Sequence, residues 1–123
     1  MEKEGNFLEK RRFGRLSSRM AIQYRKVAGN PAAPTGSLSC DISGGGVRLS
    51  SYEFIPRATK LAVELPLEYP TKTINALARV VWVQKKPYDD RYDLGLEFVD
   101  INSADRNDLV NYVDKNLVHT NMV

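Results

Sequence analysis

Leu38-Ser39-Cys40-Asp41-Ile42-Ser43-Gly44-Gly45-Gly46-Val47-Arg48-Leu49 decides the reading of this chain. Leu38, Cys40 and Ile42 fall on one side of an extended backbone and Ser39 and Asp41 on the other, the two-residue period of a half-buried strand. Three glycines then supply the backbone freedom of a tight turn, and Val47 and Leu49 resume as inward residues with Arg48 on the opposite face. Two strands joined in this way carry Asp41 and Ser43 on the face turned away from the core.

The same period extends in both directions. Met20, Ile22 and Tyr24 alternate with Ala21, Gln23 and Arg25 in a strand over Met20–Val27, ended by Gly29-Asn30-Pro31 and Pro34. Leu61, Val63 and Leu65 alternate with Lys60, Ala62 and Glu64 until Pro66. Thr73–Lys85 is longer and nearly continuous in apolar residues around Ala78–Val83, which suits a strand buried on both faces or curved by a bulge. Pro87-Tyr88-Asp89-Asp90 turns it into Tyr92, Leu94, Leu96 and Phe98.

Beyond Asp100 the spacing becomes helical. Leu109, Val113 and Leu117 share a face with Val110 beside them, Asn102 or Ser103 can cap the start, and Asp105, Asp108 and Lys115 match the charges of the two helix ends. The expected fold is all-β with a terminal helix: a small antiparallel barrel of six strands, closed so that no long edge is exposed, and a helix over 103–118. Residues 1–9 are expected to form a mobile tail, 10–118 one domain with an arginine arm at 10–19, and 119–123 a short tail.

With 123 residues the chain suits a single domain with one core. Cys40 is the only cysteine, no apolar run approaches the roughly 20 residues of a membrane span, and the first residues lack the apolar core of a signal peptide. A reduced, cytoplasmic protein without membrane insertion is expected. Cys40 reads as a small buried residue, and His119, the only histidine, as a surface position near the helix end. No spacing suits a metal site or a catalytic cluster, and Gly44–Gly46 is not followed by the Lys-Ser/Thr of a nucleotide-hydrolysing loop. No enzyme and no cofactor are therefore expected.

Charge is unevenly placed. Residues 10–26 hold seven of the 18 basic side chains and no acidic one, whereas residues 89–114 hold eight acidic residues against two basic. Such polarity aims a basic segment at an anion. Arg11, Arg12 and Arg15 can donate paired hydrogen bonds to a phosphate or to the O6 and N7 acceptors of a guanine. Asp41 can accept from the N–H groups of a guanine, Ser43 can bond a phosphate, and Gly46 lets backbone approach closely. Each group also has an ordinary use: a solvated basic tail for the arginines, and local turn hydrogen bonds for Asp41 and Ser43.

Taken together, Arg11-Arg12-Phe13-Gly14-Arg15 and Asp41-Ile42-Ser43-Gly44-Gly45-Gly46 resemble the paired signature of the PilZ domain family, Arg-x-x-x-Arg followed by Asp/Asn-x-Ser-x-x-Gly. The likeness continues through Ala78–Trp82 and Leu94–Phe98 to the closing helix, over about residues 10–117. It implies a six-stranded barrel that binds the bacterial second messenger cyclic di-GMP, with the arginine arm folding over the ligand and the second motif on the barrel wall. Arg11, Arg15, Asp41 and Ser43 are then the expected contacts, Gly46 a backbone requirement, and Arg12 and Lys10 supplements. The arm is expected to order on binding. A binder of this kind passes its signal to an unidentified protein effector of motility, pilus, exopolysaccharide or transcription machinery, with no DNA partner expected.

Two rival readings are kept. One is a small basic barrel for single-stranded nucleic acid, stacking bases on Tyr24, Tyr52, Tyr69, Tyr88 or Trp82, although most of these fit a core or turn and Trp82 reads as core. The other is a PilZ-like adaptor that contacts a protein without any ligand.

Overall fold

The structure is a computed structural model describing residues 14–17, 19–28, 34–68 and 70–121, with the side chains at 38, 40 and 118–121 outside that description. Its strands are β1 (Arg15–Ser17), β2 (Ala21–Lys26), β3 (Thr35–Ser43), β4 (Gly46–Ser51), β5 (Lys60–Glu68), β6 (Thr71–Lys85) and β7 (Tyr92–Ile101), followed by helix α1 (Ser103–Asn121). All pairings are antiparallel, and they run β3-β2-β5-β6-β7-β4 with β4 returning to β3, so the six expected strands close a ring.

Among the described residues there are thus seven strand segments, not six. The addition is β1, which pairs with Asp41–Ser43 while β2 pairs with Thr35–Leu38, so both lie along one edge of β3. The ring remains six strands around. The end of the expected arginine arm, Arg15–Ser17, is therefore strand; Lys10, Arg11 and Arg12 lie outside the described residues.

The interior collects the inward side chains of every strand: Ile22 and Tyr24, Ile42, Val47 and Leu49, Leu61, Val63 and Leu65, Ile74, Ala78 and Val80, and Leu94, Leu96 and Phe98. Three irregularities adjust the alternation. In β3 the register shifts between Ser39 and Asp41, where Cys40 is the extra residue. This reverses the faces, so Ser39, expected outside, is buried at 2% exposure and its hydroxyl accepts from the Met20 N–H at 3.0 Å. Between β6 and β7 the register shifts twice, at Val99 of β7 opposite Leu77 and Ala78, and at Val81 of β6 between Val80 and Trp82. The second shift turns Trp82 outward opposite Gly95 while Val83 packs toward the core.

β5 also runs through Pro66, beyond its expected end. β2 pairs with Leu61–Glu64 alone, so β5 is an edge by Pro66 and the missing proline N–H costs no ladder bond. The β6–β7 turn at Pro87–Asp90 is as expected, closed by the Lys86 N–H donating to the Arg91 carbonyl at 3.0 Å.

Helix α1 begins where Asn102 Oδ1 accepts from the Ala104 N–H at 2.8 Å, and runs to Asn121, three residues past the expected 118. Leu109, Tyr112 and Val113 are buried against the barrel and Leu117 packs beside them. Lys72 of β6 ties down the first turns through Asp105 at 2.8 Å and Asp108 at 2.9 Å. At the other end of the helix, a Cβ on Gly14 would lie 2.9 Å from Leu117 Cδ1, so glycine lets the chain entering β1 rest on α1. Among the described residues no helix is long and apolar enough to cross a membrane.

Two expectations follow for the helix seat. Leu109→Ala leaves a cavity and lowers unfolding free energy by about 3 kcal/mol in urea titrations. Hydrogen bonds from Lys72 to Asp105 and Asp108 raise the lysine above its ordinary 10.5, so its contribution is whole below pH 10.5 and fades as pH rises through the higher folded value. The stability difference between the wild type and Lys72→Met is therefore flat from neutral pH up to 10.5 and narrows above it.

Candidate functional site

Side chains directly opposite each other in an antiparallel pair share a face, so the registers assemble the site rung by rung. Leu16 opposes Ile42 and both are buried, which leaves Arg15 opposite Ser43 and Ser17 opposite Asp41 on the outer wall. Asp41 opposes Arg48 of β4, Arg48 opposes Gly95 of β7, and Gly95 opposes Trp82 of β6. One rung across the wall is thus Ser17, Asp41, Arg48, Gly95 and Trp82. The adjoining rung, about 7 Å nearer the helix by two-residue strand spacing, is Arg15 and Ser43, then Gly46, Glu97 and Arg79.

The structure therefore brings Arg15, Asp41, Ser43 and Gly46 together. Asp41 accepts from Ser17 Oγ at 3.3 Å and from Arg48 Nε at 2.9 Å. Two donors leave part of a carboxylate's roughly four lone-pair sites open. Ser43 performs the turn chemistry that was its ordinary alternative: its hydroxyl accepts from the Gly45 and Gly46 N–H groups at 3.1 and 3.2 Å. Arg11 and Arg12 lie outside the described residues.

Gly46 has a steric reason to be glycine. A Cβ there would stand 2.0 Å from the Leu96 carbonyl oxygen, a backbone atom that cannot swing away. This close approach is where β4, leaving the triple-glycine turn, joins β7. Gly95 is glycine for a different neighbour: a Cβ would fall 2.1 Å from Trp82 Nε1 and 2.3 Å from Cε2, because the indole lies across that position. Trp82, expected in the core, is instead a half-buried aromatic on the outer wall beside Arg48.

Sequence reasoning left out Arg48, Ser17 and Asp93. Arg48 is 38% exposed and sits between two carboxylates, Asp41 at 2.9 Å and Asp93 at 3.8 Å, and Asp93 also accepts from Ser50 Oγ at 3.3 Å. Alternation with Val47 and Leu49 did place Arg48 outside; its partners needed the register. Of the tyrosines considered for stacking, Tyr24 is core, with its hydroxyl donating to Ser51 Oγ at 3.0 Å, while Tyr52 and Tyr88 are exposed at loops and Tyr69 lies outside the described residues. The described tyrosines thus form no row with Trp82. The side chains of Cys40 and His119 lie outside the description as well.

The wall can offer an anion a guanidinium from Arg15, accept hydrogen bonds at Asp41 and present an indole for stacking, all on one face. The two glycines make a contrasting test. Gly46→Ala meets backbone and is expected to cost about 2–3 kcal/mol in urea unfolding. Gly95→Ala meets a side chain that can rotate, so its main effect is a changed Trp82 fluorescence maximum with a smaller loss of stability.

No curated protein matches the sequence. Solved structures do share the fold. The Bacillus subtilis inhibitor of motility MotI/DgrA superposes with a TM-score of 0.76 at 19% identity, over 87% of this chain and 51% of its own. The PilZ domain of Escherichia coli YcgR, solved with cyclic di-GMP, gives 0.63 at 14% identity over 90% of this chain and 96% of its own. PlzA of Borreliella burgdorferi, also in complex with cyclic di-GMP, gives 0.58 at 14% identity over 91% and 47%. The chain thus spans about half the length of MotI/DgrA. The PilZ domain model matches residues 9–115, which take in the arginine strand, the glycine turn and the whole ring of strands, and the chain belongs to that family.

Proposed function

We propose that this chain is a receptor for cyclic di-GMP, binding it on the outer wall at Arg15, Asp41 and Ser43 with Arg11 and Arg12 completing the grip. The observation that carries the reading is the β1–β3 register, with Arg15 opposite Ser43 and Ser17 opposite Asp41. Cyclic di-GMP carries two phosphates and two guanines. Arginine forks match both the phosphate oxygens and the O6/N7 edge of guanine, and a carboxylate accepts from the guanine N–H groups. YcgR and PlzA, which share this fold, are known in complex with that ligand.

Arg48 and Trp82 enlarge the proposed contact set. The Arg48 guanidinium, fixed through Nε on Asp41, holds that carboxylate aligned across the wall. The indole beside it offers a face on which a purine can stack. Gly46 acts through the backbone by letting β4 approach β7. In this reading the chain transmits the ligand's presence to a protein partner of the motility, pilus, exopolysaccharide or transcription machinery and performs no catalysis itself.

Isothermal titration with cyclic di-GMP, with cyclic di-AMP as the control, tests the reading. Saturable binding of cyclic di-GMP alone is expected, and Arg15→Ala or Asp41→Ala should each weaken it about 10- to 100-fold, the value of one charge-assisted contact. Melting temperatures of the two variants should stay near the wild type, since Arg15 is exposed and Asp41 lies at the wall. Absence of binding, or equal affinity in the Arg15→Ala variant, overturns the assignment.

A further inference from the structure

Two residues beyond Ser17 on the same arginine-bearing segment lies Arg19, one side of a hollow of about 400 Å3 at the barrel end away from α1. The hollow sits between the start of β3, the end of β4 and the β6–β7 turn, and Arg19, Gly36, Ser50, Tyr52, Lys86 and Arg91 are among its walls. We propose that it is a second anion site, separate from the Asp41 rung, that takes a phosphate group.

Charge accounting around the hollow favours an anion. Glu53, the one acidic residue among the described residues of its lining, is neutralised by Lys26. Arg91 is held by Asp89 at 2.6 Å. Asp93 pairs with Lys86 at 3.6 Å, longer than a direct hydrogen bond, and Arg48, 3.8 Å from Asp93, is already held by Asp41 at 2.9 Å, so Lys86 is a loosely held cation at the hollow. Arg19 is exposed and has no acidic partner within ion-pair distance among the described residues. Positive charge in excess, in a concave and polar setting, attracts an anion more strongly than the same charge on a flat surface.

The walls leave room for a ligand. Among the described residues no atom lies within 4 Å of the position a Cβ would take on Gly36, so these residues leave the floor open beside the β3 backbone. The volume falls within the roughly 300–1,000 Å3 range of small-molecule sites. Tyr52, at 77% exposure, stands in the lining with the Arg91 guanidinium 5.9 Å over its ring, so a base attached to the phosphate would find an aromatic surface. The source of the phosphate is then either a free inorganic anion or a nucleotide.

The test is an amide NMR titration of the full chain with inorganic pyrophosphate and, in a second arm, with GTP. Pyrophosphate is expected to move the Gly36 and Lys86 amides in a saturable way, and Arg19→Ala/Lys86→Ala should weaken that response at least about tenfold. GTP binding tighter than pyrophosphate, with the Tyr52 resonances moving, assigns the site to a nucleotide; equal affinity assigns it to the phosphate alone. Still Gly36 and Lys86 amides at millimolar pyrophosphate, or an undiminished response in the double variant, overturn the proposal. The outcome is independent of the cyclic di-GMP reading: Asp41→Ala should leave the pyrophosphate response of Gly36 in place.

Discussion

Because side chains alternate along a strand, the register that buries Leu16 against Ile42 fixes Arg15 and Ser17 on the outer wall beside Ser43 and Asp41. A slip of one residue would bury an arginine and expose a leucine. That penalty makes a three-residue strand a dependable way to aim a charged side chain. Two supports hold the strand: Gly14 lets the chain rest on Leu117 of α1, and Ser17 Oγ bonds Asp41 across the pairing. The helix therefore bears on the site through this apolar contact.

The polar groups of the wall form a chain rather than a set of isolated pairs. Ser17, Asp41, Arg48, Asp93 and Lys86 follow one another from β1 to the β6–β7 turn through separations of 3.3, 2.9, 3.8 and 3.6 Å. The members are partly exposed, so solvent screening keeps their contribution to folding small. Their value is positional. Arg48 cannot leave Asp41 without moving toward Asp93, and Asp93 already accepts from Ser50 and pairs with Lys86 at 3.6 Å. A ligand that competes for Asp41 thus acts on a group linked to the far end of the barrel.

Much of this was legible from residue pattern. Ile22 and Tyr24, Val47 and Leu49, Leu61 to Leu65, and Leu94 to Phe98 alternate plainly because each strand has one face inside a closed barrel. Asn102, Leu109 and Val113 similarly announce a capped helix with one buried stripe. What stayed hidden involved register. Strand β1 has a single buried residue, Leu16, too little to show a period. The bulges at Cys40 and beside Trp82 each reverse the faces, moving Ser39 inside and Trp82 outside with no local sign in composition. Arg48 could be put outside but not matched with Asp41, since that needs the β3–β4 pairing. The two motifs were visible as residue types; the β1–β3 and β3–β4 registers are what join their described residues into one surface.

The central claim is that Arg15 and Asp41 act on one ligand, and a crystal structure of the chain grown with cyclic di-GMP tests it most directly. The account expects one bound molecule, or one stacked unit, within hydrogen-bond distance of both the Arg15 guanidinium and the Asp41 carboxylate, with β1 still paired to β3. A ligand seated elsewhere on the barrel, with Asp41 contacting only Ser17 and Arg48, contradicts it.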